Sequence, residues 1–335
     1  MKYFSLHPVL TRNAWMNIVV GHRSAGKTYS FKDWAIRDWL KTGKEWVYCR
    51  RYKDELSTKD TFFDDIAYKY DIEVTVRGWR AFARKIGEKE WKPFGYFMAL
   101  SQQQRYKGTN LPKVNKLCLD EFIIENTRNK YLPDEVNQLI SLCVTIDRKR
   151  NELKVLLFSN AGLLNNPYFL EYDIKASDLI NSTWVKRNDG NVIFYYYNPE
   201  DDTHKELLVS NMAKIAPKKY NDYAYDNMFF DAGNEFIVPK KPKGYISFMC
   251  ITDGTNILRL YKSDINYNTS DSTIWVKIEK NEPDKFMLSC NPSKPIENAK
   301  YNPQYLNTLR KNTHNLLITY ENPETRIRWY DMIKP

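Results

Sequence analysis

Residues 21–28 read GHRSAGKT, a complete GxxxxGK(S/T) directly after the apolar run 15–20 and ahead of a stretch with helical periodicity. This feature constrains the chain more than any other, because such a loop works only between the carboxyl end of a buried strand and the amino end of a helix. The chain has just 12 glycines. Two of them, Gly21 and Gly26, fall where the backbone must turn and approach a phosphate closely. The amides of Gly21, His22, Arg23, Ser24, Ala25 and Gly26, with the positive end of the helix, are expected to surround the phosphates. Lys27 then reaches the β and γ phosphates and the Thr28 hydroxyl ligates the metal, so the expected cofactors are ATP and Mg.

The surrounding pattern fits an α/β fold. Strand-like runs at 15–20, 45–50, 114–119 and 155–158 alternate with helical stretches at 27–41, 53–70 and 133–146, and 74–84 reads as an exposed hairpin arm. This is the layout of an ASCE P-loop NTPase domain, a mainly parallel sheet between helices, assigned to 1–200. A polar, tyrosine-rich stretch ending in VPKKPKG reads as a linker over 201–239. A small α/β domain follows over 240–335, with strands at 245–252 and 257–261 joined through Asp253-Gly254, further strands at 273–279 and 316–320, and helices at 298–312 and 323–333.

VNKLCLDE, residues 114–121, supplies an apolar strand ending in two acids. Alone, the pair reads as the start of a solvated loop. With the phosphate loop upstream, Asp120 becomes the metal-side carboxylate and Glu121 the residue that orients and deprotonates the attacking water. Ser159-Asn160, at the tip of the next apolar strand, reads either as a plain strand-ending turn or as a γ-phosphate sensor through Asn160.

The formal net charge of +10 points to an anionic partner or to a lysine-rich solubilising surface. Two loops suit sequence-independent contact with DNA phosphates: SQQQRYKGTN, with Arg105 and Lys107, and NTRNKY, with Arg128 and Lys130. Mobile surface loops are the equal alternative. Arg148-Lys149-Arg150 reads as a solvated basic turn or as an arginine finger acting on a neighbouring subunit, and Arg50, Arg51 and Lys53 raise the same choice. The five cysteines are scattered without ligand spacing, which implies a reducing compartment and neither disulfide nor structural zinc. No apolar segment has the length or flanks of a signal peptide or a membrane span, so no membrane partner is expected.

Taken together, GHRSAGKT, VYCRRYKDEL, LDEFI and SNAGLLNNPYFL resemble, in order and spacing, the DNA-packaging ATPases of small phi29-like tailed bacteriophages, functional relatives of large terminases. The similarity is strongest over 15–172. The resemblance implies a homomeric, pentameric ring docked on the capsid portal of a prohead in the host cytoplasm. Such a ring threads double-stranded DNA with the help of a packaging RNA. By motif match it carries Lys27 and Thr28 to phosphate and Mg, Asp120 and Glu121 to metal and catalysis, and Arg148 or Arg150 to the trans finger. It also implies a C-terminal RNase H-like domain that is the vestige of a nuclease. Nuclease chemistry needs several carboxylates on adjacent strands, whereas the first C-terminal strand has Ser247, Phe248, Met249 and Cys250 at its centre, with Asp253 in the turn. The alternatives are a large terminase with an active nuclease, and a nucleotide-regulated nucleic-acid-binding module with little turnover.

Overall fold

A computed structural model of the chain describes residues 4–124, 130–164, 166–174, 178–179, 184–197, 211–216, 221, 236–263, 273–279, 287–291, 296–315 and 317–333. They form two compact units. The first holds the described residues up to 162 together with 184–197, 211–216 and 221; the second holds those from 163 to 179 and from 236 onward. Most of the stretch read as a linker, 201–239, lies outside the described residues.

The first unit is built on a nine-stranded sheet of β1 (Met16–Gly21), β2 (Glu45–Arg50), β3 (Ile72–Arg77), β4 (Arg80–Lys85), β5 (Lys92–Ala99), β6 (Val114–Asp120), β7 (Lys154–Ser159), β8 (Trp184–Arg187) and β9 (Val192–Tyr197). The order is β3-β4-β5-β2-β6-β7-β1-β9-β8. From β5 to β9 every pairing is parallel, and the hairpin partners at both edges are antiparallel. β1 is buried at every position and β2 at all but its last, as expected of strands covered on both faces. The placement of β7 between the loop strand β1 and the acid-bearing strand β6 is the strand order of an ASCE P-loop NTPase.

The helix Lys27–Thr42 buries Phe31, Ala35, Ile36 and Trp39 and stops at Gly43, which takes the left-handed conformation that glycine tolerates at a helix end. Its apolar face joins a core cluster with Trp46, Tyr48, Phe94, Phe97, Cys118 and Phe158. Trp46 is the centre of the aromatic packing, with the rings of Phe63, Phe94 and Phe97 each 5.2 Å away. Gly95 makes room for it: a Cβ there would stand 2.2 Å from the indole. All five cysteines are buried, and none of them forms a disulfide.

The single helix expected over 53–70 is replaced by three short 3-10 turns, Lys53–Leu56, Lys59–Thr61 and Ala67–Tyr70. The physical reason is local. Thr61 bonds back to the Thr58 carbonyl and Glu55 turns back to the Tyr52 amide, so side chains compete with the helical ladder. Burial of Leu56, Phe63 and Ile66 then fixes the irregular path.

The second unit carries β10 (Ile246–Thr252), β11 (Ile257–Lys262), β12 (Ile274–Glu279), β13 (Met287–Ser289), β14 (Ala299–Tyr301) and β15 (Ile318–Tyr320), in the order β14-β13-β10-β11-β12-β15. β10, β11 and β12 form an antiparallel meander, and β13 and β14 extend it in parallel from β10. Numbered from β10, the first five strands run 5-4-1-2-3, the RNase H-like order. The helix Pro303–His314 starts later than expected, because 299–301 pairs as β14. Asn302 and Asn322 cap this helix and the helix Pro323–Met332, each accepting from amides of the first turn ahead of a proline. No described helix is long and apolar enough to cross a membrane.

The tight seat of Trp46 yields the first prediction. Gly95→Ala should lower the unfolding free energy by about 1–3 kcal/mol through overpacking, measured by denaturant titration, whereas Gly108→Ala, where an added Cβ meets open space and the backbone is not left-handed, should cost less.

Candidate nucleotide site

The parallel strand order brings the carboxyl ends of β1, β6 and β7 to one edge of the sheet. Gly21 closes β1 beside β9, where a Cβ would stand 3.0 Å from the Tyr197 carbonyl oxygen. Gly26 caps the following helix at φ +88, and Ser24 also has positive φ. Between them His22 and Ala25 are buried while Arg23 and Ser24 are exposed. The Ala25 carbonyl accepts from the Phe4 amide at 2.8 Å, tying the N-terminal segment to the loop.

Lys27 is buried and folds over its own loop. Its Nζ donates to the carbonyls of Gly21 and His22 at 2.7 and 2.9 Å, and to Asn160 Oδ1 at 3.2 Å. Asn160 follows β7, so the polar tip of that strand meets the loop lysine directly. The Thr28 hydroxyl donates to Asp120 Oδ2 at 2.7 Å, and the Tyr48 hydroxyl donates to the same oxygen at 2.9 Å. The other oxygen, Oδ1, accepts from the Glu121 amide at 3.1 Å. Burial, reinforced by the neighbouring Asp120, pushes the Tyr48 phenol well above its ordinary range, which keeps it a donor.

Glu121 has φ +57, and its side chain, 49% exposed, pairs with Arg50 Nη2 at 2.5 Å. Burial works against the charge on Arg50, but Tyr48, Glu121, Asp120 and Glu55 around it raise its pKa above the guanidinium range. Arg51 is buried against Glu135 and the carbonyls that follow β6. Both arginines, left open above as finger candidates, are thus engaged within their own unit. Tyr48, Arg50, Arg51 and Glu135 were not singled out from sequence as supports of the acids. The available signal was the alternation of Tyr48 and Arg50 on β2, the strand next to β6.

The remaining predicted residues lie elsewhere. Arg148 is the exposed C-cap of the helix Glu135–Asp147, with one bond from Nη2 to the Thr109 carbonyl at 3.0 Å. Arg150 donates to the carbonyls of Ile146, Asp147 and Val114 at 2.7, 3.0 and 2.9 Å, and also to that of Pro112. Both precede β7 and so stand at the edge of the sheet opposite Asn160. Arg105 and Lys107 are exposed beyond β5. Arg105 lines a cavity of about 660 Å³ with Lys53, Lys59, Trp79 and Tyr106. Lys130 is exposed, and its carbonyl accepts from the Tyr52 hydroxyl at 3.0 Å. Arg128 lies outside the described residues. In the second unit, the Asp253 carboxylate accepts from the amides of Thr255 and Asn256. Burial opposes its charge, yet those amides hold its pKa below the usual carboxylate range, so it serves the hairpin turn.

The strand order and the loop between β1 and its helix define a P-loop NTPase of the ASCE class. A family profile described as Podovirus DNA encapsidation protein (Gp16) matches residues 1–280, and the chain belongs to that family. The DNA packaging protein of Bacillus phage phi29 is 28% identical over 255 residues, 75% of this chain and 73% of the relative. That of Bacillus phage B103 is 28% identical over 247 residues, 73% of this chain and 74% of the relative. The crystal structure of the N-terminal domain of the bacteriophage phi29 DNA packaging ATPase superposes with a TM-score of 0.53 at 30% identity, over 59% of this chain and 98% of that one. A chain of the phi29 viral genome packaging motor assembly gives a TM-score of 0.59 at 22% identity, over 98% of both chains, and so shares the whole two-unit fold.

The two arginines of the turn before β7 separate by experiment. Arg150→Ala removes every bond to the four carbonyls and should cost about 1–3 kcal/mol of stability. Arg148→Ala should change it by no more than about 0.5 kcal/mol; paired thermal unfolding curves check both.

Proposed function

We propose that this chain is an ATPase that converts Mg-ATP hydrolysis into movement of double-stranded DNA into a preformed viral capsid. One observation carries the reading. The Thr28 hydroxyl lies 2.7 Å from Asp120, with Lys27 against Asn160, so the phosphate loop and the hydrolytic acids share one edge of the sheet. Membership of the DNA encapsidation family and similarity to phage DNA packaging proteins supply the substrate.

The donor set suits Mg: Thr28 and Asp120 offer hard oxygen ligands side by side. When bound, Mg would neutralise charge developing on the transferring phosphoryl group. The chain's own residues do the rest. The loop amides from Gly21 to Gly26 bind the phosphates, and Lys27 exchanges its carbonyl partners for phosphate oxygens. Asn160, already on the Lys27 amine, senses whether a γ-phosphate has taken its place. Tyr48 keeps the Asp120 carboxylate aimed at the loop. Glu121 orients and deprotonates the attacking water.

The finer assignments are ours as well. The ring is a homopentamer docked on the capsid portal with a packaging RNA, acting at the prohead in the host cytoplasm. The trans finger comes from the turn that carries Arg148 and Arg150. Arg148, with one backbone bond and an exposed position, is the freer of the two to reach a neighbour. Arg105, Lys107, Arg128 and Lys130 grip DNA phosphates without reading bases. The domain limits are 1–200 for the motor, 201–239 for a linker and 240–335 for a nuclease-dead RNase H-like domain. Support for that last reading is the β10 sequence, which carries Ser247, Phe248, Met249 and Cys250 where a nuclease would hold carboxylates.

Lys27→Ala should abolish ATP turnover, and Glu121→Gln should keep ATP binding while lowering turnover by about 100-fold or more. The direct test is a packaging assay: the chain with ATP should drive DNA into empty capsids, where it becomes protected from added nuclease, and neither variant should do so. The chain alone, incubated with plasmid and Mg or Mn, should leave the DNA uncut; cleavage would favour a terminase with a working nuclease.

A further inference from the structure

Arg51, one residue beyond β2, is only 4% exposed, and its guanidinium is enclosed by fixed partners. Nε and Nη2 meet the two oxygens of Glu135 at 2.8 and 3.0 Å, a bidentate pair whose acid side chain is fully buried. The same guanidinium donates to the Phe122 carbonyl at 2.5 Å and to the Glu121 carbonyl at 3.3 Å. Its Cζ lies over the Tyr131 ring, 4.9 Å from the centroid. Glu135 in turn accepts from the Leu132 amide at 2.8 Å, and the Tyr131 hydroxyl accepts from the Ile124 amide at 3.1 Å.

Glu121 has a side chain yet adopts φ +57, a conformation that persists only where its surroundings impose it. The two carbonyls that leave this strained position are the ones gripped by Arg51. A buried ion pair contributes little net stability because desolvation offsets the attraction. What a planar guanidinium does provide is direction: its rigid fork fixes several acceptors at once. Arg50 differs, since it pairs with the Glu121 carboxylate itself, while Arg51 grips the main chain at and after that residue.

We propose that the buried Arg51–Glu135 pair is the positioning element of hydrolysis, holding the left-handed turn at Glu121 and so aiming its carboxylate. The inference rests on the reading of Glu121 as the water-orienting acid. Because Glu135 opens the helix that ends at Arg148, the aim of Glu121 is anchored to that helix as well as to β2.

The test uses the full chain with ATP and double-stranded DNA. Arg51→Lys keeps the charge but loses the fork. It should lower kcat by about 100-fold, the scale of a misplacement near 1 Å, with KM for ATP and the affinity for DNA within about twofold. In a Glu121→Gln background the same change should have no further effect on the residual rate, because the group it aims is gone. Glu135→Gln, which preserves volume, repeats the measurement if Arg51→Lys lowers the unfolding temperature too far for assay. Wild-type turnover in either folded variant overturns the proposal, as does an equal loss from Arg51→Lys with or without Glu121. Should Glu121→Gln itself hydrolyse ATP normally, it is the reading of the acid that fails.

Discussion

The arrangement of the site depends on how Asp120 is held. One of its oxygens accepts from two hydroxyls, Thr28 at the start of the loop helix and Tyr48 on β2. Three separate pieces of chain therefore converge on a single carboxylate. The convergence follows from the strand order: β2 lies directly beside β6, and β1, which leads into the loop helix, lies one strand further, beyond β7. A buried acceptor without such donors would be expensive to keep. Here the interaction that satisfies Asp120 is also the one that sets the loop helix against the acid strand.

Around that centre, electrostatics and packing divide the work. Cations of the same chain gather around the site: Arg50 pairs with Glu121, Lys27 donates to Asn160, and Arg51 grips the carbonyls that follow β6. The apolar layer beneath is aromatic and tightly fitted, with Trp46 seated over Gly95 and enclosed by three phenylalanines. Dense interiors transmit small shifts instead of absorbing them. A charged edge on such a base suits a machine in which a change at the phosphates must be felt elsewhere in the fold.

Local chemistry made the first half of this legible. GHRSAGKT, the LCLDE strand end and the Asp253-Gly254 hairpin each state their geometry within a few residues, and the strand alternation around them implied a parallel sheet. The missing parts depend on distant partners. β5, with Pro93 and Gly95, lacks the look of a central strand, and its glycine makes sense only once Trp46 is seen to lie against it. The turns of 53–70 follow side chains that compete with helical bonding. Arg51 and Glu135 meet across 84 positions of sequence, and nothing in CRRYKDEL announces that Arg50 serves Glu121 while its neighbour serves a distant acid and two carbonyls. The RKR turn hid the same distinction: Arg150 fastens the end of a helix while Arg148 stays open.

The Lys27 amine has a consequence for timing. With carbonyl and amide oxygens already accepting from it, an incoming triphosphate must displace existing bonds, so the gain on arrival is the difference between two bonded alternatives, and the loss on departure is reduced by the same amount. The loop keeps its shape through such an exchange. A cycling motor needs spent nucleotide to leave as readily as fresh nucleotide enters, and a lysine with a home of its own lets the product go without leaving a bare cation behind.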